Sequence, residues 1–272
     1  MKIKILVDNI SKTNKLLAAE HGFSAYIEAN DINILFDTGA SNVITENVNQ
    51  LAIKLNKLDF VILSHNHYDH TGGLMYLDIL LKNKVKMLVS ENFFSEKYKK
   101  TNESYKKISN DFVNKNMFEN KYQIIYVKDI CKISENIFCV SLKNGKSILN
   151  NYFYLKNDNG EFIDDNFLDE IVLVYKKNKQ LTVLTGCCHT GIEHIFNILK
   201  FYFTDCAIKN VIGGLHLEKV ADDYFERILC FVKKNDINIY PGHCTGELRL
   251  WLLESNIKKN VDILEVGKIL EF

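Results

Sequence analysis

Apolar runs of strand length recur along the chain: KIKILV (2–7), SAYIEA (24–29), NILFDTG (33–39), DFVILS (59–64), KVKMLVS (84–90), EIVLVYK (170–176), LTVLTG (181–186), KNVIGG (209–214) and INIYPG (237–242). Each carries β-branched residues and has a turn signal beside it, which predicts strands. Two longer segments, GIEHIFNILKFYF (191–203) and ADDYFERILCFVKKN (221–235), repeat their apolar residues at three- and four-residue spacing and predict helices. TGGLMYLDILL (71–81) reads as a glycine-assisted turn into another helix. The early chain is thus a strand meander and the later chain alternates strand and helix, so the expected class is α/β, with sheets covered by helices.

The stretch 92–165 is the least periodic, being rich in Lys, Asn, Tyr and Phe. No linker composition marks a boundary in it. The chain therefore reads as a single domain, 1–272, with 92–165 as an insertion or substrate-pocket segment, the usual role of long irregular stretches in compact domains.

Composition narrows the function classes. At 47% hydrophobic and 25% charged, the 272 residues have ample material for a core. Lys+Arg and Asp+Glu balance at 34 each, so no global field points to nucleic acid or an anionic membrane as partner. No window approaches the roughly 20 uncharged apolar residues needed to span a bilayer. The opening MKIKILVDNI alternates instead of showing a basic stretch and a long apolar run, and seven cysteines without a CxxC pair suit free thiols in a reducing, cytoplasmic setting. The expected partner is a small molecule, and a homodimer is compatible with this reading.

Chemistry concentrates in SHNHYDHTGG (64–73), which holds three of the eight histidines. Leaving a buried strand, His65 and His67 lie two residues apart, a spacing that in extended backbone points both side chains the same way. Asp69 and His70 follow where the chain turns and approach from another side. Imidazole and carboxylate are donors that zinc and related first-row ions accept, and a catalytic site needs about three of them plus an open position. Further histidines stand after strands and glycines in LTGCCHTG (His189), IGGLHLE (His216) and YPGHCTGE (His243), where side chains project over a sheet edge. His21 has weaker support, and His194, inside a predicted helix, reads as structural. Asp37 in LFDTG is placed to hydrogen-bond a metal-bound histidine or the turn that carries it. Cys187, Cys188 and Cys244 flank the candidate ligands and are alternative thiolate donors.

LFDTG, SHNHYDHTGG and the strand-end histidines together resemble the metallo-β-lactamase superfamily over about residues 20–250. AEHGFSAYIE, LTGCCHTGI, VIGGLHL and PGHCTGE look like its subgroup named for a dihydropterin ribofuranosylaminobenzene phosphate synthase. The resemblance implies a four-layer αββα sandwich with one or two metal ions, zinc first, with iron or manganese suited to the same donors. It implies His65, His67 and a later histidine, taken as His189, on one ion, and Asp69, His70 and His243 on the other. Where many members carry a bridging aspartate near this LTG strand end the chain reads CCH, so His189 or Cys187 takes that place. An Ile-Pro-Arg segment associated with the subgroup is not found before DDNFLDEIVLVY.

The expected activity is metal-dependent hydrolysis of an ester, thioester, lactone or phosphoester by a metal-activated water. Asp69 would orient that water, while His216 would stabilise an oxyanion or protonate a leaving group. A synthase joining a dihydropterin methyl diphosphate to a ribofuranosylaminobenzene phosphate is the alternative; with only Arg227 and Arg249 in the chain, its phosphates would rely on lysines. A non-catalytic metal-bound sensor is the third reading.

Overall fold

Along the computed structural model, which describes residues 1–77, 85–149, 151–157 and 159–272, the elements begin with β1 (Lys2–Val7), β2 (Ser24–Ala29), β3 (Ile32–Phe36), α1 (Val43–Gln50) and β4 (Phe60–Ile62). Next come α2 (Tyr68–Thr71), α3 (Leu74–Leu77), β5 (Lys86–Ser90), β6 (Lys97–Lys100), β7 (Tyr105–Lys107), α4 (Lys115–Lys121) and β8 (Gln123–Val127). Then follow β9 (Ile130–Lys132), β10 (Ile137–Ser141), β11 (Phe153–Lys156), β12 (Phe162–Asp164), β13 (Ile171–Lys177) and β14 (Gln180–Thr185). The chain ends with α5 (Ile192–Tyr202), β15 (Ala207–Gly214), α6 (Asp222–Lys234), β16 (Asn238–Gly242), α7 (Glu247–Ile257) and β17 (Ile269–Glu271). All nine strands expected from apolar runs are present within a few residues, as are the two long helices. The helix expected over 71–81 is seen at 74–77, and its remainder lies outside the described residues.

Two large sheets face each other. One has strand order β17-β1-β2-β3-β4-β5-β8 and the other β16-β15-β14-β13-β10-β9. Their apolar runs are continuous because both faces are buried. In β3, Ile34 and Phe36 enter the core between the sheets while Leu35 faces the helix side; Ile62 and Val61 of β4, and Leu184 and Val183 of β14, divide in the same way. Helices α1 and α4 cover the first sheet through Ile44, Val48 and Phe118. Helices α5, α6 and α7 cover the second through Ile195, Leu199, Ile228 and Leu253. This is the αββα arrangement, and each fully buried Leu or Ile in it contributes roughly 1.5–3 kcal/mol.

The stretch 92–165 divides between layers. Strand β8 extends the first large sheet, and β9 and β10 extend the second. Strands β6, β7, β11 and β12 form a separate four-stranded sheet, order β12-β11-β6-β7, whose Lys99 and Phe153, with Tyr152 just before β11, help to line a cavity. Pairings β3–β4–β5–β8 and β14–β15–β16 are parallel. Their carboxyl ends lie together at one edge of the sandwich, where open α/β sheets place ligands. No helix among the described residues is long and apolar enough to cross a membrane.

Candidate metal centre

The chain leaving β4 carries His65 and His67 with ring centroids 4.5 Å apart, both buried. His189, which follows β14, joins them, its Nε2 lying 3.2 Å from Nε2 of His65. The potential donor atoms of these three residues all lie within 4.8 Å of one another. Nε2 of His67 and Nδ1 of His189 are buried without a hydrogen-bond partner. Burial pushes all three imidazoles well below their ordinary range, reinforced by neighbouring histidines, so they are neutral at pH 7. Neutral, convergent nitrogens with unmatched lone pairs suit a metal ion.

Hydrogen bonds decide which ring nitrogen faces inward. Ser64 Oγ donates to Asp37 Oδ2 at 2.7 Å, so its 2.9 Å contact with His65 Nδ1 must be accepted by the hydroxyl, leaving the His65 Nε2 lone pair free. The same Asp37 oxygen accepts Nδ1–H of His70 at 2.7 Å, and Asn9 Oδ1 accepts Nδ1–H of His243 at 3.0 Å. Nε2 of His70 and Nε2 of His243 then meet at 3.1 Å, and Asp69 Oδ2 lies 3.7 Å from the first and 3.3 Å from the second. Burial opposes charge on His70, but Asp37 and Asp69 outweigh it and raise its pKa to about 9. Burial likewise opposes ionisation of Asp69, yet His70, His21 and His243 hold its carboxyl well below the usual range.

His21 has a supporting place beside this second set. Asn9 Nδ2 donates to its Nδ1 at 3.1 Å, which leaves Nε2–H to donate to Asp69 Oδ2 at 3.3 Å. Cys187 stands between the sets, with Sγ 3.1 Å from His70 Nε2 and within donor range of His65, His189, His216, His243 and Cys244. Of the two residues that the CCH triplet offers, His189 lies with His65 and His67, and Cys187 lies between the sets. Cys188 turns into the helical core, and His194 Nε2 meets the carbonyl of Leu142 at 3.0 Å, both away from the cluster. His216 packs on His189 at a ring distance of 4.3 Å, with Nδ1 unpartnered, and lines a cavity of about 520 Å³ together with His67, Asp69 and His189.

Local backbone explains why these positions are special. Asp37, Cys188, His216 and His243 all have left-handed φ, of 55°, 60°, 50° and 46°. Such residues persist only where surrounding contacts over-determine them. Gly186, between β14 and Cys187, is required by crowding: a Cβ there would stand 2.2 Å from Ser64 Oγ.

Several contributors escaped the sequence reading. Asp8 follows β1 much as Asp37 follows β3; it accepts the backbone N–H of His243 at 3.0 Å, and burial pushes its carboxyl up to about 8. Glu170 accepts N–H of His189 at 2.7 Å and of Thr190 at 3.0 Å, which fixes the turn that carries His189. Lys97 is fully buried, its Nζ bonded to Asp165 at 2.7 Å and Asp169 at 2.6 Å, while Asp169 also accepts N–H of Asn66 at 2.9 Å. Lys97 lies 4.9 Å from the Phe167 ring, and Phe167 stacks on His189 at 3.8 Å and 7°. The LVDN resemblance to LFDTG was a usable signal for Asp8, whereas no local pattern marks Lys97.

Comparisons place the fold among known proteins. The family model described as metallo-beta-lactamase superfamily matches residues 18–125. The uncharacterized protein MJ0448 of Methanocaldococcus jannaschii is 32% identical over 272 residues, covering 98% of this chain and 99% of its own. From the same organism, the 7,8-dihydropterin-6-methyl-4-(beta-D-ribofuranosyl)-aminobenzene-5'-phosphate synthase is 28% identical, covering 100% and 97%. The crystal structure of Tm1679, a metal-dependent hydrolase of the beta-lactamase superfamily, superposes with a TM-score of 0.83 at 31% identity, covering 100% of this chain and 99% of that one.

Proposed function

Because this chain belongs to the metallo-beta-lactamase superfamily, we propose that it is a hydrolase with metal held by two donor sets, His65, His67 and His189 on one side and Asp69, His70 and His243 on the other. The observation that carries this reading is the opening of convergent, partly unpartnered donors onto a cavity large enough for a small molecule. A sensor with a closed ligand shell would have no use for that opening. Cys187 is an added thiolate donor between the sets. Zinc suits this mixture of imidazole, carboxylate and thiol best, and iron or manganese suit its imidazole and carboxylate part.

When bound, such an ion supplies Lewis acidity toward a carbonyl or phosphoryl oxygen and makes water acidic enough to attack at neutral pH. Around it, Asp37 and Asn9 hold the ring orientations of His70 and His243. Asp69, kept ionised by His70, His21 and His243, orients the attacking water as a hydrogen-bond acceptor. His216, facing the cavity with a free ring nitrogen, is placed to stabilise developing negative charge or to give a proton to the leaving group. The bond cleaved is an ester, thioester, lactone or phosphoester of a small molecule.

Metal content and turnover of phosphodiester, lactone and thioester substrates, measured together on wild type and on His67→Ala and Asp69→Ala, test the reading. Near two ions per chain, with turnover lost in both variants, supports it. A metal-loaded wild type inert on every such bond sinks it. Group transfer from a pterin diphosphate is the second reading, favoured by the lysines that line the cavity and by the synthase relative. Turnover of a dihydropterin methyl diphosphate with a phosphorylated ribosyl arylamine, and of no simple ester, would select it.

A further inference from the structure

Net charge is +0, yet Lys99, Lys106, Lys107 and Lys219 all line the cavity beside the histidines. Lys107 is already compensated by Glu96 and Asp111. Lys99 and Lys219 pair with no carboxylate among the described residues; instead both converge on one phenol. Lys219 Nζ donates to the Tyr152 oxygen at 2.8 Å, and Lys99 Nζ lies 5.1 Å from the Tyr152 ring centroid. Because the phenol oxygen accepts from Lys219, its own O–H remains available as a donor. Neither arginine competes: Arg227 pairs with Glu193, and Arg249 with Asp222 and the carbonyl of Val220. Among the described residues, the carboxylates lining the cavity are Asp69 and Glu218, and the stem of Glu218 packs over Gly246.

Position tells what such a group could hold. The Tyr152 ring rests against Phe153 at 4.7 Å, and Phe153 in turn lies 5.4 Å from the His67 ring, 5.0 Å from His189 and 5.5 Å from His216. One aromatic ring therefore separates the lysine pair from the reacting end of the cavity. An anion held there is not at the bond being broken; it is another part of the same molecule.

We propose that Lys99, Lys219 and the Tyr152 hydroxyl bind a phosphomonoester group carried by the substrate at the end remote from the scissile bond. The proposal rests on the hydrolase reading of the neighbouring donor sets. Two ammonium groups and one hydroxyl match the three terminal oxygens of a phosphate monoester and its charge of about −1.5 to −2 at pH 7. A carboxylate has two oxygens and one charge, and would leave an ammonium uncompensated. Lysine binds phosphate as a point charge, so the site demands charge and reach more than a fixed plane. Phe153 offers an apolar floor for the atoms between the phosphate and the scissile bond.

The test uses the metal-loaded full chain and three p-nitrophenyl esters whose acyl chains end in a phosphonate, a carboxylate or a methyl group. The expected order of kcat/KM is phosphonate, carboxylate, methyl, with the difference carried by KM. In the Lys99→Gln/Lys219→Gln double variant, the preference for phosphonate over methyl should fall by about 100-fold or more, the scale of two lost charge-assisted hydrogen bonds. Tyr152→Phe should lower it by less, about 10-fold, the scale of one hydroxyl donor lost to a charged acceptor. A preference that survives the double variant, or a carboxylate ester that equals the phosphonate one, overturns the proposal. If no ester is turned over, the hydrolase reading is judged on its phosphodiester, lactone and thioester substrates, and titration with benzenesulfonate, which is neither hydrolysed nor a good metal ligand, judges the lysine pair separately. Weaker sulfonate binding in the double variant retains the anion site; equal binding removes it.

Discussion

The two donor sets are built by different means. His65, His67 and His189 are an all-nitrogen group walled by Phe153 and Phe167, with two buried ring nitrogens left unpartnered. Asp69, His70 and His243 are threaded by Asp37, Asn9 and His21, so their polar atoms already satisfy one another. Packing specifies the first set and hydrogen bonds specify the second. The metal-free protein consequently carries buried, unmatched donors on one side only, each costing about 1–3 kcal/mol. A chelator should strip the Asp69 side first and the His67 side second.

The strongest way to break this contrast is to remove one donor from each set. His67→Ala and Asp69→Ala should each lower turnover by more than about 100-fold, since loss of even an outer partner of a metal site costs up to about that much. Metal analysis under graded chelator should show His67→Ala retaining its ion on the Asp69 side, and Asp69→Ala the reverse. Equal metal loss in both would mean one cooperative site. Next in size is Lys97→Met, which leaves Asp165 and Asp169 buried without their cation and should cost about 3–5 kcal/mol in chemical denaturation. Its effect on metal affinity should fall on the His67 side, through Phe167 and Asn66. Asp37→Asn should weaken metal binding roughly 10–100-fold, reaching both sets because Asp37 orients His70 directly and His65 through Ser64. Smallest is His21→Ala: its ring is half exposed, and the loss should stay within about 1 kcal/mol, read as a slight rise in the metal dissociation constant of the Asp69 side.

Much of this contrast is legible in the sequence, and its limits have a physical cause. The two-residue spacing of His65 and His67, and the strand-end glycines before His189, His216 and His243, are local patterns, so both sets were visible as candidates. The supports were less so. Asp8 meets His243 across 235 positions, and Lys97 meets Asp165 across 68, pairings that no local period encodes. The middle of the chain was obscure for a related reason. Strands β6, β7, β11 and β12 are three or four residues long and partly exposed, so they lack the continuous apolar runs that two-sided burial imposes on β3 or β14. Phe167, which stacks on His189, also sits in an irregular turn with a φ of 52°.

The left-handed backbone at Asp37, Cys188, His216 and His243 has a dynamic consequence. A non-glycine residue in that region costs on the order of 1–3 kcal/mol, and four of them gather within one cluster of loops. Regions that store such cost are less expensive to open locally than the unstrained sheet interiors. In the metal-free chain, backbone amides of these turns should exchange with deuterium well before those of β3, β14, β15 and β16, only a few residues upstream. An ion that ties the turns together raises the free energy of that opening, so loading with metal should slow exchange there while leaving the sheet interiors almost unaltered. The ion then serves as a fastener for backbone that the sheets present but do not themselves hold shut.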